Sequence, residues 1–131
     1  MRKHLLAGGL IALSLLGTAV ANADPVSKTP MQCFYSNDWS GWKATPDSKS
    51  IYIRVGVNKL YRLDLSSACP ALQAPNSHLI TDLHGSSSIC SALDLDMRVS
   101  DGTGFATPCI VSEITPLTAA EATALPKDLR P

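Results

Sequence analysis

Residues 51–65, IYIRVGVNKLYRLDL, decide the fold. Ile51, Ile53, Val55 and Val57 are apolar and β-branched at every second position, and Tyr61, Leu63 and Leu65 repeat that period. Side chains alternate faces along a strand, so each run is a strand with one buried face. Two such runs in succession predict an antiparallel hairpin. A two-residue turn at Asn58-Lys59 is excluded, because it sets Arg62 and Asp64 opposite Val55 and Ile53 on the apolar face. A three-residue loop, Asn58-Lys59-Leu60, pairs Val57 with Tyr61, Val55 with Leu63 and Ile53 with Leu65, and sets Arg54 opposite Asp64. The other three-residue choice opposes Arg54 and Arg62, like charge against like. The expected register is therefore the one with Arg54 facing Asp64.

Around this hairpin the chain reads as short strands separated by turns. Cys69-Pro70 stops the second strand, and residues 70–78 form a loop with two prolines. Leu79–Leu83 is a short strand. Ile89–Val99 is mostly strand, with Leu93, Leu95, Met97 and Val99 alternating with Asp94, Asp96 and Arg98. Asp101–Gly104 is a turn, and Cys109–Ile114 is a last strand. Thr118 and Glu121 form a capping box ahead of a helix at 119–124, which ends before Pro126. Residues 126–131 are expected to fray. The fold class is mainly β: a small antiparallel barrel or sandwich with a short C-terminal helix and two disulfides.

The N-terminus has the three parts of a secretory signal. Arg2 and Lys3 precede an uncharged apolar stretch, and Ala21-Asn22-Ala23 offers small residues to signal peptidase. Residues 1–23 are read as the signal peptide, Asp24 as the first mature residue, 24–32 as a loose leader and 33–125 as a single β-rich domain. The first cysteine is Cys33, so no lipidation cysteine stands at the cleavage site. The expected location is periplasmic or secreted, with no stable membrane insertion after cleavage. Losing 23 of 131 residues leaves 108, enough for one core. Nine basic residues then face eleven acidic ones, and this near balance gives no field for nucleic acid.

Cys33, Cys69, Cys90 and Cys109 are an even set in an exported small domain and read as two disulfides. No two lie close enough in sequence for a zinc-ligand pair, and no cofactor is expected. Four cysteines allow three connectivities. Cys69–Cys90 is expected because it closes the irregular 70–88 stretch, and Cys33–Cys109 because first and last strands are natural neighbours in a small barrel.

Candidate chemistry is thin. Asp94 and Asp96, two apart on a strand, share a face at about 7 Å, within the range of paired carboxylates in glycoside hydrolysis; the same alternation marks any half-exposed strand. His78, Asp82 and His84 fall on one face of a strand at 79–83, and two imidazoles with a carboxylate can hold zinc; a polar strand face is the plainer reading. Phe34 and Trp42 are assigned to the core. Trp39 stays open as a residue that stacks on sugars or peptide side chains.

Cys33-Phe34, IYIRVGVNKLYRLDLSSAC at 51–69, ICSALDLDMRV at 89–99 and PCIVSEITPLTAAEATAL at 108–125 together resemble a family of small exported Gram-negative proteins known as a domain of unknown function. Many of its members are lipoprotein-like. The resemblance implies a compact, mainly β domain with a short C-terminal helix, and it implies no activity. The expected function is a non-enzymatic binding or envelope-associated domain, whose partner is a periplasmic or envelope protein. The alternatives are a small hydrolase or metal-dependent enzyme built on Asp94/Asp96 or His78/Asp82/His84, and a protease inhibitor presenting the 70–78 loop.

Overall fold

A computed structural model describes residues 32–131 of the protein. The expected signal peptide, 1–23, and all of the expected leader but Gln32 lie outside the described residues. The strands are β1 (Phe34–Tyr35), β2 (Trp39–Ala44), β3 (Ser50–Val55), β4 (Lys59–Leu65), β5 (His78–Leu83), β6 (Ser88–Ile89), β7 (Leu95–Ser100), β8 (Ala106–Pro108) and β9 (Val111–Pro116), followed by the helix α1 (Ala119–Ala124). They form three antiparallel sheets: β2-β3-β4-β9, β5-β7-β8 and the small pair β1-β6.

The buried alternation builds one core. Ile51, Ile53, Val55, Tyr61, Leu63 and Leu65 from the four-stranded sheet meet Leu95, Met97 and Val99 from the three-stranded sheet, with Phe34 and Ile89 from the small pair. This is a sandwich of antiparallel sheets. The Tyr61 and Phe34 rings pack with centroids 4.7 Å apart.

The hairpin forms, but in another register. Ile53 faces Tyr61, Ile51 faces Leu63 and Ser50 faces Asp64, while Arg54 faces Leu60. The expected pairing of Arg54 with Asp64 is thus replaced. The error lay in counting Val57 as strand. The loop is Gly56-Val57-Asn58, Val57 is 86% exposed, and Gly56 holds φ at +61°, a conformation glycine adopts without the steric cost of a Cβ. Asp64 instead accepts from Ser50 Oγ at 2.6 Å and Arg62 Nε at 3.0 Å.

Both expected disulfides are also replaced: the bridges are Cys33–Cys90 and Cys69–Cys109. Strand pairing explains each. Phe34 pairs with Ile89, which brings Cys33 beside Cys90. Leu65 at the end of β4 pairs with Val111 at the start of β9, which brings Cys69 beside Cys109. The first and last strands are not neighbours here, so the premise for Cys33–Cys109 fails.

The 89–99 stretch is not one strand. β6 and β7 are separated by a 3-10 turn at Ala92–Asp94, which leaves Leu93 87% exposed instead of in the core face. The last strand begins at Val111, after a corner at Cys109-Ile110 where the chain passes from the edge of β7 to the edge of β4.

At the C-terminus the capping box is present: Thr118 Oγ1 accepts from the Glu121 N–H at 3.2 Å, and Glu121 accepts from the Thr118 N–H at 2.7 Å. The Thr118 backbone N–H foremost, and then the Thr118 side chain, hold the Glu121 carboxyl below its ordinary pKa. Residues 126–131, expected to fray, make defined contacts in the structure. Lys127–Leu129 is a 3-10 turn, and Arg130 donates to the Leu125 and Thr123 carbonyls that α1 leaves without helical partners. Arg54 donates to the Pro131 carbonyl oxygen, tying the tail to the outer face of the four-stranded sheet.

Candidate functional site

Strand β2 has an irregularity with a consequence for side-chain direction. Trp39 and Trp42 are three residues apart, which in a regular strand puts them on opposite faces. Here the register shifts between Trp39 and Gly41: Trp39 faces Val55, Gly41 faces Arg54 and Trp42 faces Ile53. Ser40 is the extra residue of a β-bulge, and the bulge returns both indoles to the face of Ile53 and Val55. β2 is an edge strand, so neither indole is covered by a further strand, and both stay half-buried. Gly41 faces the other way, where a Cβ would touch Pro131 at 3.7 Å.

The facing edge belongs to the other sheet. β5 is the edge strand of the three-stranded sheet, and His78, Leu79 and Thr81 stand across from the two indoles. Ser36 and Ser40 complete a groove of about 340 Å³. No Asp, Glu, Lys or Arg lines it. The side chains of Ser36, Ser40, His78 and Thr81 make no hydrogen bond within the described residues. His78 and Trp39 come from separate sequence candidates, and the fold brings them to one place.

His78 is thereby parted from Asp82 and His84. These two lie at the far end of β5, by a second groove of about 720 Å³ between β7 and the start of β9. Its floor is Leu95, Met97 and Val111, and Leu93 and Ile110 stand exposed on its walls, Ile110 at 67%. Asp82 and Asp96 face each other directly across β5 and β7, a repulsive placement. Each turns diagonally to another partner: Asp82 to the Arg98 guanidinium, and Asp96 to His84 Nε2 at 2.8 Å. Among the described residues no three His, Cys, Asp or Glu side chains gather as metal ligands. The expected three-residue zinc set does not assemble, because one strand length separates its imidazoles.

The expected carboxylate pair does not assemble either. Asp94 belongs to the 3-10 turn, not to β7. Its carboxylate accepts from the Cys90 N–H at 2.9 Å, the Ser91 N–H at 2.8 Å and Ser91 Oγ at 3.2 Å. These bonds, the Cys90 backbone N–H first, hold its carboxyl below the usual range. All three bonds fall on one carboxylate oxygen, Oδ2, and make Asp94 the cap of the 3-10 turn.

The 70–78 loop is anchored. Leu72 is buried, Ser77 Oγ donates to the Leu72 carbonyl at 3.2 Å, and Gln73 donates to the Thr45 carbonyl at 2.9 Å.

Trp42, assigned to the core from sequence, packs against it while also lining the groove, and sequence reasoning passed over Ser36, Ser40 and Thr81. The available signal was the spacing W-S-G-W at 39–42, where small residues permit a bulge. Arg98 was read as one more polar residue of an alternating strand, and only the cross-strand register reveals its partner.

The two disulfides, with no helix among the described residues long and apolar enough to cross a membrane, are compatible with a periplasmic or extracellular protein. No curated protein and no solved structure matches the chain. One family model does, over residues 1–131, and the chain belongs to that family, the family of unknown function DUF6491.

Proposed function

We propose that the protein is exported by a cleaved signal peptide and acts as a non-enzymatic binding domain of the periplasm or cell envelope. One observation carries this reading: the β2 bulge sets both tryptophans on one wall of an open groove, among polar side chains that have no partner among the described residues. Aromatic rings with a few oriented polar groups are the usual composition of a small-ligand site. The groove's volume lies within the roughly 300–1,000 Å³ typical of such sites. The hydrolase reading gains nothing from the geometry. Asp94 is occupied as a cap, and Asp82, Asp96, Arg98 and His84 are occupied with one another.

A backbone-amide NMR titration with a library of aromatic fragments, dipeptides and monosaccharides tests the site. Shifts are expected to cluster at residues 36–42 and 78–81 and to weaken in Trp39→Ala. Shifts centred on residues 82–98 would move the function to the second groove. Hydrolytic turnover abolished by Asp96→Asn would replace the reading with an enzymatic one. Intact mass of exported protein tests the first clause: the expected species begins at Asp24 and has no acyl chain.

A further inference from the structure

We infer that the groove between β2 and β5 takes a neutral carbohydrate chain. The inference rests on the binding reading above and narrows its ligand. The lining holds no carboxylate, ammonium or guanidinium group, so nothing in it compensates a charged ligand. What it offers is a division between two aromatic faces, Trp39 and Trp42, and polar groups from both walls, Ser36 and Ser40 beside β2 and His78 and Thr81 on β5. Ser36, Ser40 and Thr81 can each donate and accept, and His78 supplies a further ring nitrogen. A sugar matches that division. Its C–H face lies against the negative face of an aromatic ring, and its hydroxyls exchange hydrogen bonds with side-chain hydroxyls.

The backbone argues against the main competitor, an extended peptide added to the sheet edge. Such addition needs a regular row of free N–H and C=O groups. The bulge at Ser40 breaks that row in the middle of β2 and twists the edge, a recognised way of blunting strand addition. Recognition at this edge is therefore by side chains. The same bulge that spoils the strand template aligns Trp39 with Trp42.

The sequence contains two tryptophans, and both line this groove. Intrinsic tryptophan emission of the oxidised, full exported chain therefore reads the groove alone. The experiment titrates the protein with maltohexaose, cellohexaose and chitohexaose. A saturable emission change is expected with at least one of them. His78→Ala, at an exposed position, is expected to weaken it about tenfold, the equivalent of roughly 1.4 kcal/mol. Trp39→Phe, which keeps an aromatic face, is expected to retain binding better than Trp39→Ala. Asp82→Asn in the second groove is expected to leave it unchanged. If none of the three saccharides changes the emission while an aromatic fragment or dipeptide does so saturably, the carbohydrate inference is overturned and the binding reading survives. If no compound of either kind changes it, both fall. A saccharide response lost in Asp82→Asn and kept in His78→Ala also overturns the assignment to this groove.

Discussion

The two grooves of this domain are made in opposite ways. In the groove between β2 and β5 the walls are two edge strands, no Asp, Glu, Lys or Arg lines it, and its polar side chains have no partner among the described residues. In the groove between β7 and β9 the charged and imidazole side chains are paired with one another. Its walls, Leu93 and Ile110, sit three residues after Cys90 and one after Cys109, so each stands beside a disulfide. Polar groups already matched within the fold gain little from a ligand, because a new bond must replace an existing one. Unmatched groups at a water-filled opening are the ones free to recognise something. The difference is legible only in the fold: titratable residues clustered in sequence end up paired with one another, and two tryptophans flanking Ser40-Gly41 end up on one groove wall.

The disulfides offer the largest way to break this comparison. They close loops with sequence separations of 57 and 40 residues, and on the chain-entropy model each stabilises by about 4 kcal/mol. Cys69→Ala/Cys109→Ala and Cys33→Ala/Cys90→Ala are each expected to lower unfolding free energy by that order in urea titrations. The bridges differ in access. Cys69 and Cys109 are buried at 4% and 3%, whereas Cys33 is exposed. Limited reduction followed by thiol alkylation is therefore expected to label Cys33 and Cys90 first. Labelling of Cys69 and Cys109 first would show that the corner at Cys109-Ile110 opens more readily than the edge at Cys33.

A second change sharpens the contrast between matched and unmatched groups. Tyr61 is 1% exposed, and its hydroxyl has no hydrogen-bond partner among the described residues. Burial alone raises its pKa. A buried hydroxyl without a partner costs about 1–3 kcal/mol, so Tyr61→Phe is expected to leave stability unchanged or raise it by up to that amount. A loss above about 1 kcal/mol in thermal or urea unfolding would mean that the hydroxyl has a partner in solution. The comparison with Ser36, Ser40 and Thr81 is direct. Those residues line an open groove, whereas among the described residues the Tyr61 hydroxyl is the buried one without a partner.

Much of the architecture was legible in residues 51–65, because a strict period of two admits few structures. The same stretch misled about register. The apolar Val57 extends the pattern past the strand, and Gly56, whose left-handed backbone ends it, has no side chain to announce the fact. The capping box at Thr118–Glu121 was legible because both partners lie within four residues. The disulfides were not, because they follow from β1–β6 and β4–β9 pairings that span 55 and 46 residues between Phe34 and Ile89 and between Leu65 and Val111. Of the site, Trp39 and His78 were named as candidates, but nothing local says that they meet. Asp94 was misread because a 3-10 turn of three residues hides inside an alternating pattern.

Acid sensitivity separates the cap from the ion pairs. The folded-state pKa of Asp94 is depressed, so its contribution is present above the ordinary carboxylate value and is lost as pH falls through the folded one. Asp94→Asn is expected to reduce stability at neutral pH and to flatten the acid limb of the stability profile. Urea midpoints measured from neutral pH down to strongly acidic buffer check it. A variant whose profile runs parallel to that of the parent down to the acid end would remove Asp94 from the account.

The smallest expected effect comes from the charges that look most like an active site. Asp82, Asp96, Arg98 and His84 all have side chains more than 40% exposed. Water screens such pairs, and ordering the side chains costs entropy, so each pair is worth about 0–1 kcal/mol. The cross-strand arrangement adds a sign that can be tested. Asp82 opposes Asp96, and the two diagonal partners offset that repulsion. Arg98→Gln removes a partner and leaves the carboxylates opposed, so it is expected to destabilise slightly. Asp82→Asn removes the repulsion and one pair together, so it is expected to be near neutral. In the double variant Arg98→Gln/Asp82→Asn, most of the loss caused by Arg98→Gln alone is expected to be recovered. High salt is expected to shrink the difference between the single variants, since exposed charges are screened over about a Debye length. A loss of more than about 1 kcal/mol in Asp82→Asn that persists at high salt would contradict this. It would mean that Asp82 is held for a reason other than its neighbours, and would return the second groove to consideration as the binding site.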